Sequence, residues 1–128
     1  MIHHSSVTVY KQPFYKAFAN AFNGLKAFLK KERNGKIQAG AAIITVLIGL
    51  TLHISATEWV IILICIAAVL ATEMINSSLE HLCNLVHNEY HPSIKTIKDM
   101  AAGAVLLVSL TSLVVGAIIF GPKIFALL

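Results

Sequence analysis

Apolar residues fall into three long runs that follow a shorter amphipathic stretch at about residues 10–34. Within that first stretch, large apolar side chains recur at helical spacing among lysines: Phe14, Phe18, Phe22, Leu25 and Phe28. A helix with one basic and one aromatic face lies in the membrane interface rather than across the bilayer. The pattern therefore predicts a surface helix, which the pair Asn34-Gly35 is expected to end.

The runs at about 37–55, 59–88 and 97–119 are predicted to be membrane helices. The first contains no Asp, Glu, Lys or Arg and has close to the about 20 residues that a spanning helix needs. The second turns polar half-way without a helix breaker, so its second half is expected to emerge from the bilayer. Thr57 is expected to cap this second helix, and Gly121-Pro122 to end the third.

Composition supports a membrane protein. Hydrophobic residues make up 57% of the 128 residues and the mean hydropathy is +0.78, which excludes an ordinary soluble domain. We expect one all-α membrane domain that covers residues 1–128. The two cysteines, Cys65 and Cys83, lie on one predicted helix roughly 27 Å apart, so neither a disulfide nor a zinc site is expected.

Basic residues are distributed unevenly around the predicted spans. Only Lys123 follows the third span, whereas the others precede the first span or lie between the second and third: Lys11, Lys16, Lys26, Lys30, Lys31, Arg33, Lys36, Lys95 and Lys98. Because Lys and Arg accumulate in cytoplasmic loops, this bias predicts a cytoplasmic N-terminus. The membrane surface accounts for the net charge of +4 better than nucleic acid does.

A polar stripe follows one face of the second membrane helix. Glu73, Asn76 and Glu80 stand at i, i+3 and i+7, and Asn84 and His87 continue the stripe. An ionisable group at the centre of a membrane helix costs about 2.5 to 3.5 kcal/mol, so such a group usually marks a functional site.

The predicted cytoplasmic side adds Glu32, Lys98 and Asp99. Phosphoryl transfer needs carboxylates for Mg²⁺, a cation for developing charge and a base for the acceptor hydroxyl, and these residue types could fill those roles. Polar stripes also line proton paths and helix interfaces in transporters, so the residue types alone leave both functions open. The alternatives are that Glu73 is a buried structural carboxyl, Lys98 a membrane-surface anchor and Asp99 a helix cap.

Three motifs distinguish these alternatives: EMINSSLE at 73–80, EYHP at 89–92 and KDMAAGAV at 98–105. Together they resemble the signature of the prokaryotic diacylglycerol kinase family, which includes undecaprenol kinases. The basic surface helix and the segment Glu32-Arg33-Asn34 are also similar to the N-terminal part of that family, so the resemblance covers nearly the entire chain.

The resemblance implies an ATP-dependent lipid kinase that forms a homotrimer in the bacterial inner membrane, with Mg²⁺ as cofactor. Its acceptor would be the hydroxyl of undecaprenol or diacylglycerol at the cytoplasmic surface. The roles that it implies are a general base at Glu73, magnesium ligands at Glu32 and Glu80, and nucleotide contacts at Asn76, Lys98, Asp99 and His91.

The chain departs from the family pattern at two positions. Asn84 stands where the family usually has Asp, and Ser78 replaces a small apolar residue. Asn84 cannot neutralise a cation, which supports the alternative of a non-catalytic membrane protein, such as a transporter-like subunit or a degenerate kinase. His91-Pro92 and the Ala-Ala-Gly-Ala run resemble undecaprenol kinases more than diacylglycerol kinases.

Overall fold

The protein is an all-α membrane protein. A computed structural model describes residues 11–128, which form four helices: α1 (Phe14–Lys31), α2 (Arg33–Leu52), α3 (Ala56–Val86) and α4 (Pro92–Leu127). The last three are long and apolar enough to cross a membrane, in agreement with the three predicted spans. Residue 10, where the surface helix was expected to begin, lies outside the described residues.

The chain turns between α1 and α2 at Glu32, and the prediction that Asn34-Gly35 ends the surface helix is wrong. Glu32 is extended, and its backbone N–H donates to the Phe28 carbonyl as the C-cap of α1. Asn34 and Gly35 belong to the first turn of α2. Gly35 acts through its lack of a side chain, because a Cβ there would lie 2.1 Å from the Phe28 carbonyl oxygen.

The opposite ends of α2 and α3 meet in a tight hairpin. α2 ends before His53, which has a positive φ of 53°, and Ser55 caps α3. Ser55 Oγ accepts from the Glu58 N–H while Glu58 Oε1 accepts from the Ser55 N–H, a reciprocal capping box. The expected cap at Thr57 is therefore wrong, because Thr57 lies inside the helix.

α4 is longer at both ends than the predicted span. It begins at Pro92, whose fixed φ suits the first helical turn, and Nδ1 of His91 accepts from the Ser93 N–H at 3.1 Å. Asp99 is thus not the cap of this helix. Pro122 lies within the helix, so the expected stop at Gly121-Pro122 is also wrong. A proline removes a single hydrogen bond, and apolar membrane helices accommodate that loss.

Helix packing buries the start of the polar part of α3 at Glu73 and Asn76, whereas Glu80 and Asn84 further along are exposed. α3 packs most extensively against α4, and α2 contacts both α1 and α3. A small apolar core of Ile54, Ile62 and Ile119 holds the hairpin end together. Most other large apolar side chains on the membrane helices are exposed, as expected for surfaces that face lipid or a second subunit.

Candidate functional site

Glu73 lies at the start of the polar part of α3 and is buried, with 6% of its surface exposed. Its Oε2 accepts a hydrogen bond from Asn34 Nδ2 at 3.5 Å, at the long end of the range. The contact joins the first turn of α2 to the middle of α3. Glu73 therefore does not face the lipid, and its carboxylate lies beside the turn between α1 and α2.

Asn76, one turn further along α3, is equally buried. Its Nδ2 donates to Glu80 Oε1 at 3.4 Å, but its Oδ1 has no hydrogen-bond partner within the described residues. A buried carbonyl oxygen without a partner costs about 1 to 3 kcal/mol, so it requires an explanation. A hydrogen-bond donor or a cation from a ligand would satisfy this atom.

Glu32 reaches the same region of α3 from the turn between α1 and α2. Its Oε1 contacts His81 Nε2 at 2.6 Å, and His81 directly follows Glu80 in the chain. Glu32 is half-buried whereas the His81 side chain is 69% exposed, so the contact lies at the surface of the bundle. The fold thus brings both predicted magnesium ligands to one turn of α3.

Lys98 extends from α4 across to α3, where its Nζ donates to Asn84 Oδ1 at 2.8 Å. Asp99, although adjacent in sequence, bonds along its own helix to Lys95 Nζ at 2.5 Å. The structure therefore places Lys98 at the polar stripe and turns Asp99 towards Lys95. Asn84 is 11 residues beyond Glu73, which is roughly 16 Å along a helix.

His91 lies just before α4 and has a structural role as its N-cap. Its ring also meets that of His87 edge-on, with ring centroids 5.6 Å apart. The two rings close the short connection between α3 and α4. His91 is exposed.

The oxygen atoms along this stripe are of the kind that bind hard cations. Within residues 11–128, no three His, Cys, Asp or Glu side chains come together as a preformed metal cluster. Mg²⁺ does not need such a cluster, because it commonly binds one or two carboxylates together with phosphate oxygens and water. Glu80, Glu32 and the free oxygen of Asn76 fit that type of site.

An apolar groove adjoins the stripe on the membrane side. It has a volume of about 450 Å³ and lies among α2, α3 and α4. Val69, one helical turn before Glu73, lines it, and so does Gln38, one turn after Asn34. The polar residues in its lining are Gln38 and Thr45 of α2 and Ser109 and Ser112 of α4. The groove can hold an apolar chain whose polar end lies near Glu73.

Three side chains make contacts at the predicted site that the sequence did not predict. Asn34 was noted only as part of a motif, His81 was not assigned a role, and Asn84 was expected to weaken the site. The position of His81 directly after Glu80 is the one sequence signal that could have indicated its place near the site. Each of the three residues pairs with a partner that is distant in sequence. These pairs depend on how α2 and α4 pack against α3, and the spacing of residues along the chain does not predict that packing.

Comparison with known families gives an independent result. The family model described as prokaryotic diacylglycerol kinase matches residues 19–120, which includes most of α1 and all but the end of α4. The match therefore contains every predicted site residue, from Glu32 to Asp99.

Individual relatives agree with that match. Undecaprenol kinase of Bacillus subtilis is 35% identical over 111 residues, which cover 87% of this chain and 90% of the relative. A diacylglycerol kinase of Synechocystis is 28% identical over 88% of this chain and 65% of its own length. The diacylglycerol kinase of Escherichia coli K12 is 26% identical, over 81% of this chain and 85% of its own.

Proposed function

Because the chain belongs to the prokaryotic diacylglycerol kinase family, we propose that it transfers the γ-phosphate of ATP to the hydroxyl of undecaprenol at the cytoplasmic membrane surface. It is a membrane-embedded lipid kinase. The observation that carries the proposal is the buried Glu73 carboxylate, one helical turn from a groove that can hold an apolar chain.

Glu73 is proposed as the general base. A base must lie within hydrogen-bond reach of the hydroxyl from which it takes the proton. A lipid chain in the groove beside Val69 would bring its terminal hydroxyl to the level of Glu73. The carboxylate would accept the hydroxyl proton as the oxygen attacks the γ-phosphorus, while the bond from that phosphorus to the β,γ-bridging oxygen breaks and ADP leaves. Burial excludes water, which would otherwise compete as an acceptor of phosphate.

Glu80 and Glu32 are proposed to hold Mg²⁺, together with the unpaired oxygen of Asn76. When bound, the ion would neutralise charge on the phosphates of ATP. Glu32 would exchange its contact with His81 for a metal contact, and Asn76 would gain a partner for its buried oxygen. The chain supplies oxygen donors only, in keeping with a hard cation.

Lys98, Asp99 and His91 are proposed to contact the nucleotide. Lys98 is already held at the stripe by Asn84, so its ammonium can attract phosphate oxygens. Asp99 and His91 lie on the same side of the membrane, near the start of α4. Both residues contact other residues within α4 or next to it, so they would contact ATP at the N-terminal end of α4.

Undecaprenol is proposed as the acceptor because the chain is 35% identical to the Bacillus subtilis undecaprenol kinase, over 90% of that kinase's length. Its identity to the Escherichia coli diacylglycerol kinase is lower, at 26%. The motif His91-Pro92 favours the same acceptor. The two lipids share a primary hydroxyl, so the same base serves either one, and the choice depends on the apolar chain.

The proposed location is the bacterial inner membrane, with the N-terminus and the connection between α3 and α4 in the cytoplasm. The distribution of Lys and Arg supports this orientation. A homotrimer is proposed from the family resemblance, and the exposed apolar faces of the membrane helices leave ample surface for subunit contacts.

The direct test compares the two lipids. Purified protein in detergent micelles receives Mg²⁺ and γ-labelled ATP with either undecaprenol or diacylglycerol. We expect faster labelling of undecaprenol, and we expect Glu73→Gln to abolish labelling without changing the oligomer size. Glu58→Gln, the same chemical change in the first turn of α3, should retain activity. Wild-type protein that labels neither lipid would refute the kinase proposal, and a preference for diacylglycerol would refute the acceptor.

A further inference from the structure

The turn between α1 and α2 is unusually tight. Glu32 is the single residue between the two helices, and its N–H bonds back to the Phe28 carbonyl. Gly35 lies directly against that same carbonyl, where any Cβ would collide with backbone atoms. Since backbone cannot yield as a flexible side chain can, the direction in which α2 leaves the turn is fixed by these contacts.

The turn contacts α3 at two points. Glu32 meets His81, and Asn34 meets Glu73, eight residues earlier on α3. Two contacts roughly 12 Å apart along one helix hold the start of α2 at a defined position on α3. Asn34 lies on α2, outside the polar stripe of α3, and it still contacts the buried carboxylate of Glu73.

The Asn34 bond is the one hydrogen bond that Glu73 receives within residues 11–128. It involves Oε2, so Oε1 is left for another partner. A glutamate side chain has three rotatable bonds, and a single donor that engages one oxygen restricts where the other oxygen points. Val69, one turn before Glu73, is apolar, whereas Asn76 and Ser77, one turn after it, are buried polar residues. Asn76 Nδ2 donates to Glu80 instead of Glu73, and no hydrogen bond from Ser77 to Glu73 is present among residues 11–128.

We infer that Asn34 is a positioning residue that orients the Glu73 carboxylate towards the lipid hydroxyl. The inference rests on the proposed function, because it assumes that Glu73 acts as the base. Asn34 itself need not touch either substrate. Its amide fixes Oε2 and thereby presents Oε1 to the hydroxyl, and the tight turn at Glu32 and Gly35 keeps that amide in place.

Loss of the amide should affect turnover rather than binding. Asn34→Ala is expected to lower kcat about 10- to 100-fold, because displacement of a reacting group by about 1 Å can lower the rate by a factor of about 10². KM for ATP and for the lipid should stay within about 2-fold. Asn34→Asp, which keeps the shape but replaces the donor with a second carboxylate, should lower kcat further, whereas Asn34→Gln should recover part of the rate.

Asn23→Ala is the matched control, because Asn23 is an exposed amide on α1. It should retain wild-type kcat. Thermal unfolding midpoints of all variants in the same micelles separate positioning from loss of structure. The kcat of Asn34→Ala is therefore also calculated per folded enzyme. If this corrected kcat equals that of the wild type, the substitution only reduces the amount of folded protein, and the inference is wrong.

A double-mutant cycle tests whether Asn34 acts through Glu73. In a Glu73→Asp background the carboxylate is shorter and no longer reaches the amide, so Asn34→Ala should then change kcat by less than about 2-fold. Equal effects of Asn34→Ala in both backgrounds would overturn the inference while leaving the kinase proposal intact. A wild-type enzyme without lipid kinase activity would instead refute the proposed function itself.

Discussion

Lys98 of α4 donates a hydrogen bond to Asn84 of α3, with 2.8 Å between Nζ and Oδ1. Asn84 stands where the family signature that the sequence resembles has Asp. The amide oxygen keeps the acceptor in place, so the two helices remain joined although the ion pair is absent. Asn84 therefore does not by itself indicate a degenerate site, because Lys98 is still held at the polar stripe.

The first prediction concerns this pair. Asn84→Ala removes the acceptor and releases the Lys98 side chain. KM for ATP should then rise about 3- to 10-fold, which corresponds to about 0.7 to 1.4 kcal/mol, the range of a typical hydrogen bond. Asn84→Asp should keep KM within about 2-fold, since an exposed ion pair contributes at most about 1 kcal/mol. Steady-state kinetics with varied ATP measure both values.

Asn88 is an exposed amide in the connection between α3 and α4, so Asn88→Ala is the control for removing an amide near the membrane surface. It should leave KM for ATP unchanged. Equal KM values for Asn84→Ala and the wild-type protein would show that Lys98 does not depend on Asn84 for its position.

The second prediction concerns magnesium. Glu80→Gln and Glu32→Gln each remove an anionic oxygen from the proposed site, so the Mg²⁺ concentration for half-maximal activity should rise at least several-fold or turnover should vanish. Titration of activity with Mg²⁺ at fixed ATP measures this. Glu58→Gln, at the far end of α3, should leave the titration unchanged. The magnesium assignments fail if both variants titrate like the wild type.

The third prediction tests the turn between α1 and α2. Gly35→Ala forces a Cβ against the Phe28 carbonyl, and such overpacking typically costs about 1 to 3 kcal/mol. We expect a lower thermal unfolding midpoint and a lower kcat, because the turn holds Asn34 against Glu73.

Gly24→Ala in α1 provides the comparison, because a Cβ there meets nothing within 4 Å. Alanine also favours helix over glycine by about 0.8 to 1.0 kcal/mol, so this variant should be at least as stable as the wild type. A Gly35→Ala enzyme as stable and as active as Gly24→Ala would show that the turn tolerates a side chain.

The helical part of the fold follows from sequence because lipid imposes a simple requirement. Long apolar runs must form helices in a bilayer, so the three spans could be predicted from hydropathy alone. Their ends could not. The pair Asn34-Gly35 usually ends a helix, yet here Gly35 is required by a close backbone contact within α2, and Pro122 lies inside α4.

The candidate site was predictable only in part, for a related reason. The period of the α-helix places Glu73, Asn76 and Glu80 on one face whatever the surroundings. Asn34, His81 and Asn84 contact residues that are distant in sequence, so their roles depend on the packing of separate helices. Local spacing contains no information on such pairs.

The last prediction concerns the hairpin at the opposite end of the membrane helices. A Cβ on Gly49 would lie 2.8 Å from the Trp59 ring and 3.2 Å from the Ile54 side chain. An indole cannot shift as a flexible side chain can, so Gly49→Ala should lower the unfolding midpoint by separating α2 from α3 locally. Trp59 is the single tryptophan of the chain, so its fluorescence emission should shift with the substitution.

Gly40→Ala in the same helix has open space around the new Cβ, so it should not lower the unfolding midpoint and should leave the Trp59 emission unchanged. The kcat of Gly49→Ala per folded enzyme should equal that of the wild type, because Trp59 lies 14 residues, or roughly 21 Å along α3, before Glu73. The contrast with Gly35→Ala is the informative result. Both substitutions crowd a helix junction, but only the junction that holds Asn34 should affect turnover, whereas equal losses of kcat would show that catalysis depends on general packing.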